Sequence, residues 1–204
     1  MSLSAISCED VPCHPDFRAL ESIGGIHIDL RYATPDNFVG HDVYGDLDCA
    51  WLRREAADAL QAAAAWLAVH RPGYRLSVLD ALRPQRVQER LWAELQDTPL
   101  TLYLANPERG SIHSFGMAVD VTLLDAAGAE VDMGSGFDEM TALSHPEFEA
   151  EHLALGRLSA AHLTERGWLR AAMRQAGFQA ITTEWWHFDL GDRIAVRRDL
   201  PRVI

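Results

Sequence analysis

The sequence predicts a single α+β domain in which a central antiparallel sheet is flanked by helices. Short segments with strand patterns are interspersed with helical segments, but not in the strict alternation that builds a parallel sheet. The length of 204 residues is close to that of one domain. A chain of this size with 48% hydrophobic residues can bury its own core without a disulfide or a metal. We therefore treat residues 1–204 as one domain, with residues 1–24 as an N-terminal extension packing on it.

The first half of the chain contributes two strands and two helices. In order, these are a strand at 26–30, a long loop at 34–46, a helix at 52–70, a strand at 74–79 and a helix from Pro84 to Leu95. The first strand alternates apolar and polar residues, as a half-buried strand does. The first helix carries Leu60 and Leu67 on one face and is stopped by Pro72-Gly73. Pro84 suits the first turn of its helix, which leaves Arg83 at a strand-to-helix junction, a place where functional side chains are often presented.

The second half contributes the strands that carry most of the polar motifs. The predicted elements are a strand at 118–124 paired with 129–133, a helix opened by a capping box at 144–147, a helix ending at Ala176 and a strand at 184–190. The capping box is predicted from Ser144 and Glu147, whose spacing is typical of a helix start. Gly177 suits the C-terminal end of the longer helix.

The charge composition excludes several classes of function. Asp and Glu outnumber Lys and Arg by 30 to 18, for a formal net charge of -12, and all 18 positive residues are arginine. Without lysine, the chain has neither a phosphate-binding P-loop nor lysine Schiff-base chemistry. The acidic balance argues against a nucleic-acid partner, because such binding depends on clustered positive charge.

The cysteines and the N-terminal residues predict a cytoplasmic protein. Cys8, Cys13 and Cys49 are odd in number and irregularly spaced, so we expect free thiols. The first residues lack the basic and apolar regions of a secretory signal. No apolar run reaches the ~18 residues that a membrane helix needs. We therefore expect no membrane partner, and the sequence leaves the oligomeric state open.

The segment Ser111–Asp120 contains a candidate metal-binding pair. His113 precedes a glycine-containing turn, and Asp120 lies on the predicted strand that follows. Imidazole nitrogen and carboxylate oxygen are both ligands of Zn²⁺. From the spacing alone, a turn histidine and a strand aspartate with structural roles explain the pair as well.

The segment Glu184-Trp-Trp-His187 supplies further candidates. A catalytic zinc site has three protein ligands and one open position, so His187 is a candidate third ligand and Glu184 a candidate general base. Residues three apart on a regular strand face opposite sides, so Glu184 must lie at the start of the strand or on a bulge. A helical di-iron site is the alternative for this spacing, but it requires a second Glu-x-x-His, which the chain lacks. The two tryptophans suit core packing.

Together the two segments resemble the D-alanyl-D-alanine dipeptidases, zinc peptidases of the vancomycin-resistance type with the Hedgehog/DD-peptidase fold. Residues 111–120 match the family pattern S-x-H-x-x-G-x-A-x-D at every fixed position, and E-W-W-H stands intact at 184–187. Further matches are Y-A-T-x-D-N-F at 32–38, Arg83-Pro84 and D-M-G-S-x-F-D at 132–138. The matches extend over nearly the whole chain.

The resemblance implies a role for each matched residue. His113, Asp120 and His187 would bind one Zn²⁺ per chain, with Glu184 as the general base on the zinc-bound water and Arg83 stabilising the transition state. Ser111 and Asp138 match positions used on the substrate termini, where a hydroxyl suits the carboxylate and an anion suits the amine. Two structural alternatives stay open, namely that Arg83 simply pairs with Asp80 and that Asp138 is a loop or capping residue.

Three functions follow as hypotheses. The first is zinc-dependent hydrolysis of the small zwitterion D-alanyl-D-alanine to two D-alanines. The second is a related D,D-carboxypeptidase or peptidoglycan endopeptidase acting on stem peptides, with the same ligands in a more open cleft. The third is a zinc-binding domain without catalysis, which the presence of Glu184 and Arg83 beside all three ligands disfavours.

Overall fold

A computed structural model describes residues 4–96, 98, 103 and 105–204. Within these residues the strands are β1 Phe17–Ala19, β2 Ile26–Ile28, β3 Trp51–Arg53, β4 Arg75–Asp80, β5 Ala118–Leu124, β6 Phe178–Ala180 and β7 His187–Leu190. The α-helices are α1 Arg54–His70, α2 Gln85–Leu95, α3 Glu149–Ala154, α4 Ala160–Gln175 and α5 Arg193–Asp199. Short 3-10 turns connect several of them, among them Ile112–Phe115. The predicted α+β class is confirmed.

The central sheet has five strands in the order β2-β4-β5-β7-β6. All neighbouring pairs are antiparallel except β2 and β4, which run parallel at one edge. The predicted antiparallel sheet is therefore correct for four of its five strands. Strand β5 is buried along its whole length, as its apolar sequence predicted.

The core divides into two clusters of buried side chains. In the larger one, α1 and α4 pack against each other and against the sheet, with Leu60, Leu169 and Phe188 fully buried. In the smaller one, α2 packs with the 34–46 loop through residues such as Leu91 and Tyr44. In the part of the chain that the structure describes, no helix is both long enough and apolar enough to cross a membrane.

The N-terminal segment packs on the rest of the chain from Ile6 onward. Strand β1 pairs with β3 in a separate two-stranded sheet. Ile6 forms a parallel bridge with Val203, and its amide donates to the Arg202 carbonyl at 2.9 Å. Backbone hydrogen bonds thus join residues 6–8 to the C-terminal residues.

Two local predictions are only partly correct. The predicted pairing of 129–133 with β5 is limited to its first residues, where Glu130 forms an isolated bridge with Leu124 and the Val131 amide donates to the Leu123 carbonyl at 2.9 Å. The predicted helical stretch does follow, as a 3-10 turn at Pro146–Phe148 that continues into α3. Ser144 does not cap it, however, because its hydroxyl donates to the Glu139 carbonyl at 2.5 Å. A capping box does occur at Ser159, where the box partner is His162.

Candidate active site

Three neighbouring strands carry polar side chains at matching positions. Asp120 in β5 is the register partner of Asp80 in β4 and of His187 in β7. Directly opposed residues of antiparallel strands project to the same face of the sheet. The three side chains therefore form a row across the sheet, although they are far apart in sequence.

His113 reaches the same place from the turn that precedes β5. The Ser111 hydroxyl caps this turn by accepting the His113 amide at 3.3 Å. Gly116 ends it at φ 68°, a left-handed conformation that favours glycine. A Cβ at Gly116 would lie 3.0 Å from the Arg53 amide nitrogen, which leaves no room for a side chain. The glycine of the motif thus allows the sharp entry into β5 that brings His113 beside Asp120.

His113, Asp120 and His187 form a compact triangle of possible metal ligands. His113 Nε2 lies 3.1 Å from His187 Nδ1, which in turn lies 2.9 Å from Asp120 Oδ1. The remaining side, from His113 Nε2 to Asp120 Oδ1, is 3.4 Å. All three side chains are largely or fully buried. Two imidazoles and one carboxylate are a donor set that suits Zn²⁺.

The ring nitrogens that point away from the triangle have their own partners. His113 Nδ1 lies 2.7 Å from the Ala81 carbonyl, and His187 Nε2 lies 2.8 Å from Asp189 Oδ1. An N–H donated to each of these oxygens leaves the lone pair of the other nitrogen directed into the triangle. Such outer partners fix the tautomer of metal-binding histidines. The residues present therefore fit a metal ion.

Asp189 was not among the site residues predicted from the sequence. It stands two residues after His187, so both project from the same face of β7, and this spacing was a readable signal. Its second oxygen accepts from Arg193 Nε at 2.5 Å. Although burial opposes the effect, Asp189 and Asp120 raise the pKa of His187 well above its usual range.

Glu184 lies just before β7 and beside the triangle. Strand β7 begins at His187, so the predicted strand at 184–190 starts three residues too early. Glu184 lies outside the strand, neither at its start nor on a bulge. Its Oε2 is 4.0 Å from His187 Nδ1. Burial raises the pKa of Glu184 to about 7, even though the nearby charges of His187 and Arg83 act in the opposite direction. The intervening Trp185 and Trp186 are buried in the core, which anchors this segment.

Arg83 is buried against the row of acidic residues. Its Nε and one terminal nitrogen donate to Asp80 Oδ2 at 2.9 and 2.5 Å. That terminal nitrogen also lies 3.5 Å from Asp120 Oδ2. Asp80 is itself held by the Tyr44 hydroxyl and by the Ala81 amide. Arg83 therefore does pair with Asp80. The pairing fixes the guanidinium, which also lines the pocket beside Glu184.

Of the two residues assigned to the substrate termini, Ser111 lines the pocket beside Glu184, whereas Asp138 lines a separate pocket. The Ser111 hydroxyl oxygen accepts from the His113 amide, and within the described parts of the chain the hydroxyl donates to no partner. Asp138 sits in the loop after residue 132 with φ 57°, an uncommon value for a residue other than glycine. Burial and the charge of Asp120 raise the pKa of Asp138 well above its usual range. Its buried Oδ2 has no hydrogen-bond partner among the described residues.

A pocket opens onto the triangle. It encloses about 190 Å³ and is lined by His113, Glu184, His187, Arg83 and Ser111, among others. Pockets for drug-sized ligands measure roughly 300–1,000 Å³. The dimensions therefore suit a small ligand.

A family model and two known proteins each match most of this chain. Residues 16–204 match a family model described as D-ala-D-ala dipeptidase. The D-alanyl-D-alanine dipeptidase of Escherichia coli K12 is 38% identical over 165 residues, covering 81% of this chain and 79% of that protein. The D-alanyl-D-alanine dipeptidase of Enterococcus faecium is 36% identical over 190 residues, covering 84% of this chain and 89% of that protein.

Proposed function

The chain belongs to the D-Ala-D-Ala dipeptidase family of metallopeptidases, and we propose that it hydrolyses D-alanyl-D-alanine to two D-alanines with one zinc ion. The observation that carries the proposal is the buried triangle of His113, Asp120 and His187 with Glu184 beside it. Each imidazole directs one ring nitrogen into the triangle, and the carboxylate of Glu184, which is not needed as a ligand, lies within reach. This arrangement is what hydrolysis assisted by a metal requires.

In this proposal His113, Asp120 and His187 hold the zinc. The ion would polarise the peptide carbonyl and lower the pKa of water to around 7. The Ala81 carbonyl and Asp189 keep the two rings in the ligand tautomer. Because these partners are already in place, the chain would not need to rearrange its rings to bind the ion.

Glu184 acts as the general base and acid. A carboxylate with a pKa of about 7 can accept a proton from the attacking water and return it to the leaving amine at neutral pH. Burial in the pocket is what gives Glu184 this property, since burial disfavours the charged form. The burial of Trp185 and Trp186 fixes the segment that carries Glu184, and Glu184 lines the pocket.

Arg83 stabilises the negative charge that develops on the carbonyl oxygen. Its guanidinium is fixed by Asp80, so little reorganisation is needed when that charge appears. At the two ends of the dipeptide, the Ser111 hydroxyl donates to the carboxylate and Asp138 binds the amine. The orphaned Oδ2 of Asp138 supports the latter role, because a buried acceptor without a partner gains from a donor.

The proposal includes a small zwitterionic dipeptide as the partner and the cytoplasm as the location. The net charge of -12 disfavours a polyanion such as nucleic acid. The three cysteines are free thiols, as is usual where the surroundings keep thiols reduced. Neither a membrane nor a nucleic acid is required for the proposed reaction.

The test compares two variants for bound zinc and for turnover of D-alanyl-D-alanine. We expect Glu184→Gln to keep stoichiometric zinc and to lose at least about 100-fold in kcat, since a general base contributes about 10²–10⁴. We expect His113→Ala to lose the zinc. The matched controls are Glu151→Gln and His70→Ala, both at exposed positions outside the pocket, which should change neither quantity.

Other outcomes would contradict parts of the proposal. A Glu184→Gln enzyme that keeps most of its kcat removes Glu184 from its role. If the wild-type enzyme prefers an acylated tripeptide ending in D-Ala-D-Ala over the free dipeptide, then the carboxypeptidase hypothesis is correct and the dipeptidase hypothesis is wrong.

A further inference from the structure

Three arginines line the pocket on the side of α5. Arg109 precedes the Ser111 turn, and Arg193 and Arg197 lie one helical turn apart on α5. All three line the same pocket as Glu184 and His187. Such a concentration of positive charge is unusual in a chain whose net charge is -12.

Most of this charge is not neutralised by the protein. Arg193 forms an ion pair with Asp189. Arg197 donates from Nε to the Gly110 carbonyl at 3.1 Å, which is a neutral partner. Among the residues that the structure describes, neither Arg197 nor Arg109 has a carboxylate within ion-pair distance.

The excess of positive charge affects the pKa of Arg197. Burial and the charges of Arg109 and Arg193 lower the pKa of Arg197. Like charges held close together repel one another, and an anion between them relieves the repulsion. The arrangement is therefore most stable with a negative group bound.

The two sides of the site have opposite polarity. The charges that act most strongly on Asp138 are those of Asp120, Arg83 and Glu184. Those that act most strongly on Arg197 are other arginines. Arg197 contacts Gly110, the neighbour of Ser111, so it lies close to the hydroxyl that we assign to the substrate carboxylate.

We propose that Arg197 and Arg109 form a carboxylate subsite on the leaving-group side of the pocket. This subsite selects dipeptides whose second residue carries a free carboxylate. This inference rests on the proposed dipeptidase function. A hydroxyl gives a carboxylate one hydrogen bond, whereas a guanidinium adds a full charge and a planar pair of donors. The bound group is either the terminal carboxylate or an acidic side chain of the second residue, and the two sources differ in which substrates respond to substitution.

The experiment measures KM for D-Ala-D-Ala and D-Ala-D-Glu, and Ki for the C-terminal amide of D-Ala-D-Ala as a competitor. We expect Arg197→Gln and Arg109→Gln to raise KM by about tenfold to a hundredfold, the range for a lost hydrogen bond to a charged group. The Ki of the amide should change less than twofold. An effect on both dipeptides assigns the subsite to the terminal carboxylate, and an effect on D-Ala-D-Glu alone assigns it to the side chain.

Arg198→Gln is the matched control. It changes the next residue of α5, whose side chain is exposed and pairs with Asp199 at 2.6 Å. Bound zinc and the circular dichroism spectrum should be equal in all variants, and Arg197→Lys should restore part of the affinity because it keeps the charge.

Some results would overturn the inference alone. These are an active wild-type enzyme whose KM values do not respond to either substitution, an equal change in the Ki of the amide, or an equal effect of Arg198→Gln. A wild-type enzyme that is loaded with zinc but hydrolyses neither dipeptide would instead contradict the proposed function.

Discussion

The two nitrogens of the His187 ring face different surroundings. Nδ1 points into the triangle with Asp120, and Nε2 lies 2.8 Å from Asp189. Because Asp189 accepts the Nε2 hydrogen, the lone pair on Nδ1 is free for a metal. The orientation of the ring therefore depends on a residue that is not itself a ligand.

We expect Asp189→Asn to weaken zinc binding about tenfold to a hundredfold, the usual effect of losing an outer partner of a metal-binding histidine. The amide can offer its nitrogen as well as its oxygen to the ring, so the tautomer is no longer fixed. Competition with a chromophoric chelator measures the affinity. Asp199→Asn, an exposed change near the end of α5, is the control, and equal affinities in the two variants would contradict the role of Asp189.

The residues of the site differ in how far sequence could predict them. The structure brings His113, Asp120, His187 and Glu184 together, and their motifs pointed to them. The contact of Asp80 with Arg83 was predicted only as an alternative to the role of Arg83 in stabilising the transition state. Because Asp80 is the register partner of Asp120, Arg83 can pair with Asp80 and still lie beside the site. The register depends on how the strands pair, which a single sequence does not show.

At the scale of elements, the loop from residue 133 to 144 is held by one buried arginine of α4. Arg166 donates to the Met133 carbonyl at 2.8 Å and to the Leu143 carbonyl at 2.9 Å. It also donates to Ser135 Oγ at 3.1 Å, and the same oxygen accepts the Trp185 indole at 3.0 Å. One side chain thus connects the loop that carries Asp138 to the segment that carries Glu184.

We expect Arg166→Met to reduce the free energy of unfolding by about 3 kcal/mol, because it leaves buried carbonyls without donors at ~1–3 kcal/mol each. Urea unfolding of the metal-free protein measures the change. The matched control is Arg170→Met on the same helix. Its partner Glu149 is shared with Arg166, and this more exposed pair should contribute ~1 kcal/mol or less. Similar losses in both variants would show that Arg166 is not the principal support of the loop.

Sequence predicted the long elements better than the irregular ones. Helices α1 and α4 and strand β5 have strong periodic or apolar patterns, and the structure forms them at nearly the expected residues. The failure at Ser144 has a physical cause, since its hydroxyl is taken by the Glu139 carbonyl and Ser135. A capping pattern shows that a serine is able to cap a helix. Whether its hydroxyl does so depends on the competing hydrogen-bond partners that the tertiary structure offers.

At the scale of the whole molecule, the chain is acidic overall, whereas one pocket is lined by several arginines. The net charge of -12 belongs mainly to the solvated surface, while the pocket contains Arg83 and the arginines beside α5. A pocket with an arginine-rich side attracts small anionic or zwitterionic ligands, while the acidic surplus of the whole chain discourages large polyanions. The absence of lysine means that arginine alone provides this local charge.

The fold should survive removal of the metal, but with lower stability. The core is formed by α1, α4 and the sheet, and the triangle of ligands lies beside it rather than within it, so treatment with chelator should leave the circular dichroism spectrum unchanged. Zinc at ~1,000 times its Kd should stabilise the folded state by about 4 kcal/mol. For a chain of this size, that corresponds to a rise in Tm of about 10 °C. Glu184→Gln should show the same rise and His113→Ala should show none, because only the second substitution removes a ligand. Unfolding of the wild-type protein by chelator at room temperature would mean that the metal is required for the fold itself.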